Sequence, residues 1–464
     1  MLFNSIEFLV FFPVACISYY LIPHRYRWIQ LLLLSCVFYA AFIPSYLLIL
    51  FLLIAIDYSA GLLIENSLHK KRWLLISILC NIGLLGIFKY YDFFISNINA
   101  VSGSQFILLH WALPIGLSFH TFQSLSYTIE VYRGRQKAIR HLGYYSLYVM
   151  FFPQLVAGPI ERPQHLFPQL FAKHHFSWQN IHEGLRLMAW GFFKKVVVAD
   201  RIGIYADAVF SQPQHISGLS GVIAVLFFSI QIYADFSGYS DIALGAARCL
   251  GINLCINFNR PYQSVNIKAF WQRWHISLSS WFKEYVYIPL GGNRVSKWRH
   301  KLNLMTTFAL SGFWHGASWN FLLWGLLHGS YTLCYENFKE KRSHIHLPSI
   351  AGWAITMCAV GFAWIFFRAA DWATAMQFIQ NSSAFLFSNK QPLIGSMESN
   401  FGLFNLALSG IFILLMLFIE KFTDPMLLQL NRKKLFDVSL TAACIWLMIF
   451  FGVFNRSNFI YFQF

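Results

Sequence analysis

SGFWHGASWNFLLWGLLHG, residues 311–329, holds His315 amid small, aromatic and aliphatic side chains, with no formally charged residue. As one helix the stretch is about 30 Å long, the thickness of a bilayer's hydrocarbon core. An ionisable imidazole in a segment that reads as membrane-buried is expensive to keep there and marks a functional site by default. The stretch therefore points to chemistry inside a membrane.

The rest of the chain supplies that membrane. Of 464 residues, 57% are hydrophobic, 19% aromatic and only 12% charged, against about 25% charged in soluble domains. Runs of roughly spanning length lie near residues 5–22, 28–43, 44–64, 73–96, 106–130, 184–210, 218–234, 302–335, 348–367, 401–420 and 439–454. They are too long and too continuously apolar for barrel strands, and only helices otherwise satisfy their own backbone in lipid. The expected fold is an all-α integral membrane protein of roughly ten to twelve transmembrane helices.

Eight cysteines, Cys16, Cys36, Cys80, Cys249, Cys255, Cys334, Cys358 and Cys444, lack C-x-x-C spacing. They read as buried small hydrophobes, and no metal site is expected. The first apolar run has neither a basic n-region nor a small-residue cleavage site, so it reads as a retained helix. Arg25 and Arg27, then Lys70, Lys71 and Arg72, then Arg133, Arg135, Lys137 and Arg140 alternate with loops near 43–45 and 97–105 that carry no Lys or Arg. The positive-inside rule then places the N-terminus outside. Towards the far end, Lys339, Lys341 and Arg342 precede a sparsely basic 368–400 loop, and Lys421, Arg432, Lys433 and Lys434 follow it. The C-terminus is expected outside as well. The formal charge of +16 is a topology signal with contact to anionic lipid, and no nucleic-acid partner is needed.

The character of the chain divides it into 1–143, 144–335 and 336–464. The first part alternates clean apolar spans with short loops, whereas the middle mixes Trp, His, Arg, Gly and Pro into apolar surroundings. Broken and re-entrant helices of that kind persist only where packed in protein or lining a wet cavity, so a central tunnel is expected there. Within it, residues 260–301 hold eight Lys or Arg against one acid, Glu284, interleaved with Trp271, Trp274, Trp281, Tyr285 and Tyr287. Two readings stay open. The stretch lies in the membrane interface, or its cations receive a phosphate-bearing donor, with Gly291 and Gly292 forming a turn of exposed amides beside Arg294.

His275, in WHISLSSW, precedes His315 by forty residues and reads as either structural or catalytic. His315 can accept a proton from a hydroxyl near neutral pH, or pack against a neighbouring carbonyl. Asp235, Tyr239, Ser240 and Asp241, in an apolar run, either line an acceptor path or pair with Arg248, Arg260 or Arg273. G-x-S-x-G, H-E-x-x-H and Walker patterns are absent, which removes support for a serine hydrolase, a zincin or a P-loop motor.

FFPQLVAGPIERPQHLFPQL (151–170), QIYADFSGYSDIALGAARCLGI with NFNRPY (231–262), FWQRWHISLSSWFKEYVYIPLGGNR (270–294) and SGFWHGASWNFLLWGLLHG together resemble the membrane-bound O-acyltransferases. The branch they resemble most is that of the bacterial alginate O-acetylase and peptidoglycan O-acetyltransferase membrane subunits, and the likeness runs end to end. It implies that His315 is the catalytic histidine and His275 its second characteristic histidine, both approaching a tunnel served by donor from the cytoplasm and acceptor from outside. The aromatic FIYFQF end resembles a terminal motif of the branch. Ala269, Gln272 and Cys255-Ile256 depart from the family pattern and put donor or lipid contacts near 255–272 in doubt.

The expected protein is thus a multi-pass inner-membrane acetyltransferase with both termini periplasmic. It would pass acetyl groups from cytoplasmic acetyl-CoA, a substrate rather than a resident cofactor, to an exported glycan such as alginate or peptidoglycan. His315 would be general base and His275 would polarise the thioester carbonyl or position the donor. Arg273, Lys283 and Arg294 would bind the CoA phosphates. The resemblance also implies a separate periplasmic acetyltransferase as partner. D-alanyl or lipid acylation and, in another class, solute transport without acyl transfer are the alternatives.

Overall fold

The computed structural model describes residues 1–216, 219–341, 348–387, 400–423, 434–454 and 459–460. Arg342, Arg432, Lys433, residues 388–399 of the long loop and most of the terminal motif lie outside the described residues. Among those described every regular element is helical, as the composition predicts. Among the described residues, five helices are long and apolar enough to cross a membrane: Tyr46–Asn66, Lys70–Ser102, Ser220–Cys249, Ser349–Arg368 and Leu403–Phe422. Ile6–Leu21 and Val438–Phe451 are shorter apolar helices. Large apolar side chains such as Leu9, Leu48, Phe404 and Leu414 are exposed, and so much outward apolar surface suits lipid rather than water.

The chain forms two compact units, Met1–Met188 with Tyr239–Cys255, and Ala189–Gly238 with Ile256–Phe464. In the first, the expected span 106–130 becomes helical only from Leu117, as helix Leu117–Tyr132. That helix is buried along nearly its whole length although it carries Ser118, His120, Thr121, Gln123 and Glu130. It is a packed core element and not a lipid-facing rod. A buried polar pin joins its neighbours, where Asp57 accepts hydrogen bonds from Ser77 Oγ at 2.6 Å and Asn81 Nδ2 at 2.9 Å. Arg248 donates to Glu183 at 2.7 Å, so the Asp–Arg248 pairing left open by the sequence is replaced by a Glu–Arg pair.

The second unit corrects the opening reading of 311–329 as one helix. Lys297–His315 and Trp319–Lys341 are separate helices, and Gly316 between them is extended, with φ −163°. One helix over 302–335 would have been about 51 Å long, well beyond a bilayer core. Two helices folded back on each other solve this, and small residues permit their approach. A Cβ on Gly312 would stand 2.3 Å from the Phe321 carbonyl oxygen, and one on Gly325 would stand 2.3 Å from that of Phe308. Contacts between Gly329 and Met305 continue the antiparallel register. Gly325→Val is therefore expected to destabilise the protein by about 1–3 kcal/mol through overpacking, read as a lowered Tm in detergent.

The cysteines are all free, but only part of the expectation for them holds. Cys249 and Cys444 are buried, whereas Cys334 and Cys358 are exposed. Cys358 lies on a helix face beside the exposed Ile355 and Phe362. A thiol behaves there as one more small apolar group on an apolar surface.

Candidate active site

His275 is built by a backbone turn. It sits at φ 43°, ψ 57°, the left-handed region, directly before helix Ile276–Phe282. Such a conformation is uncommon for a side chain with a Cβ and needs surrounding structure to hold it. Asn257, from NFNRPY, does the holding. Its carbonyl accepts from the Ile276 amide at 2.8 Å, and its Oδ1 accepts from Ser277 Oγ at 2.6 Å. Two residues on, the Asn259 amide donates to the Arg273 carbonyl at 2.9 Å. The imidazole is completely buried, edge-on to Phe236 at 4.7 Å between ring centroids and 6.4 Å from Trp314.

His315 ends the first arm of the hairpin, with 5% of its surface exposed. Its ring stacks on Trp324 from the second arm, 4.9 Å away at 28°. Trp314 and Phe367 meet it edge-on at 4.9 and 5.6 Å. Both histidines therefore border Trp314, which joins the WHIS and WHG motifs in one aromatic cluster of the second unit.

A cavity of about 1080 Å³ adjoins the cluster, at the upper end of common ligand-pocket sizes. Its wall includes Ile276, which follows His275, and Ser311, one helical turn before His315. It also includes Lys268, Lys283, Arg294 and His300, with Glu336 as its one acid. Glu336 lies 3.8 Å from both Lys268 and His300. Lys283 and Arg294 are exposed at the wall, and Arg273 is not part of it. The cavity thus brings together two of the three cations expected at a phosphate donor.

The Gly291–Gly292 turn is present, with φ values of 106° and 56°, but its amides are not available to an anion. Those of Gly291, Gly292 and Arg294 donate to the carbonyls of Ile288, Tyr287 and Gly291. Asn303 Nδ2 pins the turn through the carbonyls of Leu290 and Gly292, at 3.0 and 3.2 Å. Asn257 and Asn303 escaped the sequence reading because neither bears a charge. Their signal was position, since a buried amide side chain nearly always has hydrogen-bond partners.

Asp235 is committed elsewhere. It meets Lys195 Nζ at 2.7 Å and accepts from the Ile460 amide at 2.7 Å, and Lys195 also reaches Asp200 at 3.0 Å. Its cationic partner is a lysine, not one of the three arginines weighed from sequence. Arg260 instead donates to the Thr423 carbonyl.

Residues 117–370 match the membrane-bound O-acyltransferase family. The chain is 37% identical over 417 residues to the peptidoglycan O-acetyltransferase of Helicobacter pylori, covering 82% of this chain and 79% of that protein. It is 37% identical over 394 residues to a probable alginate O-acetylase of Pseudomonas aeruginosa, covering 83% and 75%. With the teichoic acid D-alanyltransferase of Bacillus subtilis the identity is 29% over 265 residues, covering 54% and 67%.

Proposed function

Because this chain belongs to the membrane-bound O-acyltransferase family and is an O-acyltransferase by that membership, we propose that it uses acetyl-CoA to acetylate hydroxyls of an exported glycan, alginate, peptidoglycan or one like them. The observation that carries this reading is the cavity, cationic where Lys283 and Arg294 stand and lined by Ile276 beside His275 and by Ser311 one helical turn before His315. A phosphate-bearing donor suits the cations, and its thioester would extend toward the aromatic cluster. The acceptor oxygen attacks the thioester carbonyl while His315 takes its proton, and that proton then goes to the departing thiolate. His275 polarises the carbonyl or positions the donor.

The basic loops carrying Arg25, Lys70 and Arg133 would face the cytoplasm, with the donor entering there and both termini in the periplasm. The chain would sit in the inner membrane, among anionic lipids, and hand acetyl to a separate periplasmic acetyltransferase.

The test is reconstitution in proteoliposomes with radiolabelled acetyl-CoA, beside a parallel assay with a D-alanyl carrier protein. Acetyl transfer without D-alanyl transfer supports the proposal. The reverse selects the second reading, which the 29% likeness to the D-alanyltransferase favours. Lys283→Ala with Arg294→Ala is expected to raise KM for acetyl-CoA about tenfold or more, the value of one or two charge-assisted hydrogen bonds, with kcat unchanged. Arg273→Ala, off the cavity wall, is expected to change KM less.

A further inference from the structure

His328, the other histidine of the 311–329 stretch, has no part in the mechanism above. It is fully buried, and aromatic rings enclose it. Trp271 lies edge-on at 4.9 Å, Trp324 at 5.0 Å and Tyr331 at 5.8 Å, and Phe270 is parallel at 6.4 Å. Neither of its ring nitrogens has a hydrogen-bond partner among the described residues. The same is true of the indole nitrogens of Trp271, Trp274, Trp324 and Trp364 in the same cluster. Each unmet buried donor or acceptor costs about 1–3 kcal/mol, while an apolar ring of similar shape would cost nothing of the kind. A phenylalanine would fill this cage more cheaply, so the nitrogens point to a ligand that supplies what the protein does not.

The place of His328 says which ligand. Trp271 is part of the cavity wall, and so is Thr332, whose Oγ1 donates to the His328 carbonyl at 2.9 Å. The imidazole thus stands one ring and one helical turn behind the cavity. Trp324 touches His328 on one side and stacks on His315 on the other, so the two histidines flank one indole.

We propose that His328 is a third histidine of the acyl-transfer site, donating a ring N–H to the carbonyl oxygen of the donor's acyl group once that group passes Trp271. The proposal rests on the reading of the cavity as a thioester site. As the new C–O bond forms, the carbonyl π pair moves onto this oxygen, where the N–H stabilises it. The pair returns as the C–S bond breaks. His328 keeps its proton throughout, whereas His315 carries the acceptor's proton to the thiolate.

Purified wild type, His328→Phe and His328→Gln are compared in proteoliposomes with radiolabelled acetyl-CoA, together with their Tm values. His328→Phe is expected to lower kcat about 10²-fold, as loss of one oxyanion donor does, with KM for acetyl-CoA unchanged and Tm equal to or above wild type. His328→Gln, which restores an N–H, is expected to recover part of the loss. Wild-type turnover by His328→Phe overturns the proposal, as does equal loss in both variants with a lowered Tm, the sign of a packing role. Failure of the donor reading looks different: wild type itself would then release no CoA, and the assignment of His328 would fall with it.

Discussion

His315→Ala is expected to lower acetyl transfer by about 10²–10⁴-fold, the usual contribution of a positioned general base. The ring closes the first arm of the hairpin and stacks on Trp324, so alanine removes packing as well as a base. His315→Phe separates the two effects. It restores an aromatic ring against Trp324 and Phe367 but cannot accept a proton. Both variants are expected to fail in turnover, with the Tm loss confined to alanine. Full transfer by a folded His315→Phe protein would remove His315 from the chemistry.

The second large effect is on stability. Lys195→Met is expected to cost about 3–5 kcal/mol, because it strands Asp235 and Asp200 as buried carboxylates without their shared cation. All three side chains are 7% exposed or less, so solvent cannot screen them. Adding Asp235→Leu to Lys195→Met is expected to recover part of the loss, since an apolar replacement no longer carries a stranded charge. Denaturant unfolding in detergent provides the measurement. A single variant within about 1 kcal/mol of wild type, the scale of an exposed pair, would show that the cluster does not hold the unit together.

The helical, membrane-bound character of the chain was legible because it depends on composition alone. The family and its two histidine motifs were legible as well, since residues around His275 and His315 are contiguous in the sequence. The break after His315 was less so. No charge or proline interrupts 311–329, and the turn arises from contacts of Gly312 and Gly325 with backbone atoms more than eight residues away. Only the length of the 302–335 run hinted at it. The partner of Asp235 was missed because Lys195 stands forty residues earlier in the chain, with no sequence spacing that ties the two together. The clamp on His275 was missed because Asn257 acts across a loop, through one carbonyl and one amide oxygen.

The Lys195 cluster also constrains how the protein is made. Lys194 and Lys195 are buried in an apolar stretch before Ser220, and a lysine at the centre of a helix in lipid costs about 2.5–3.5 kcal/mol. Asp235 reaches Lys195 from the following helix, Ser220–Cys249, and Glu420 reaches Lys194 from Leu403–Phe422 at 3.8 Å. Asp200, on the same segment and 3.0 Å from Lys195, is made together with it, whereas Glu420 belongs to a helix far later in the chain. The charge of Lys195 can thus be offset within its own segment during insertion, and Asp235 joins the cluster when the following helix arrives.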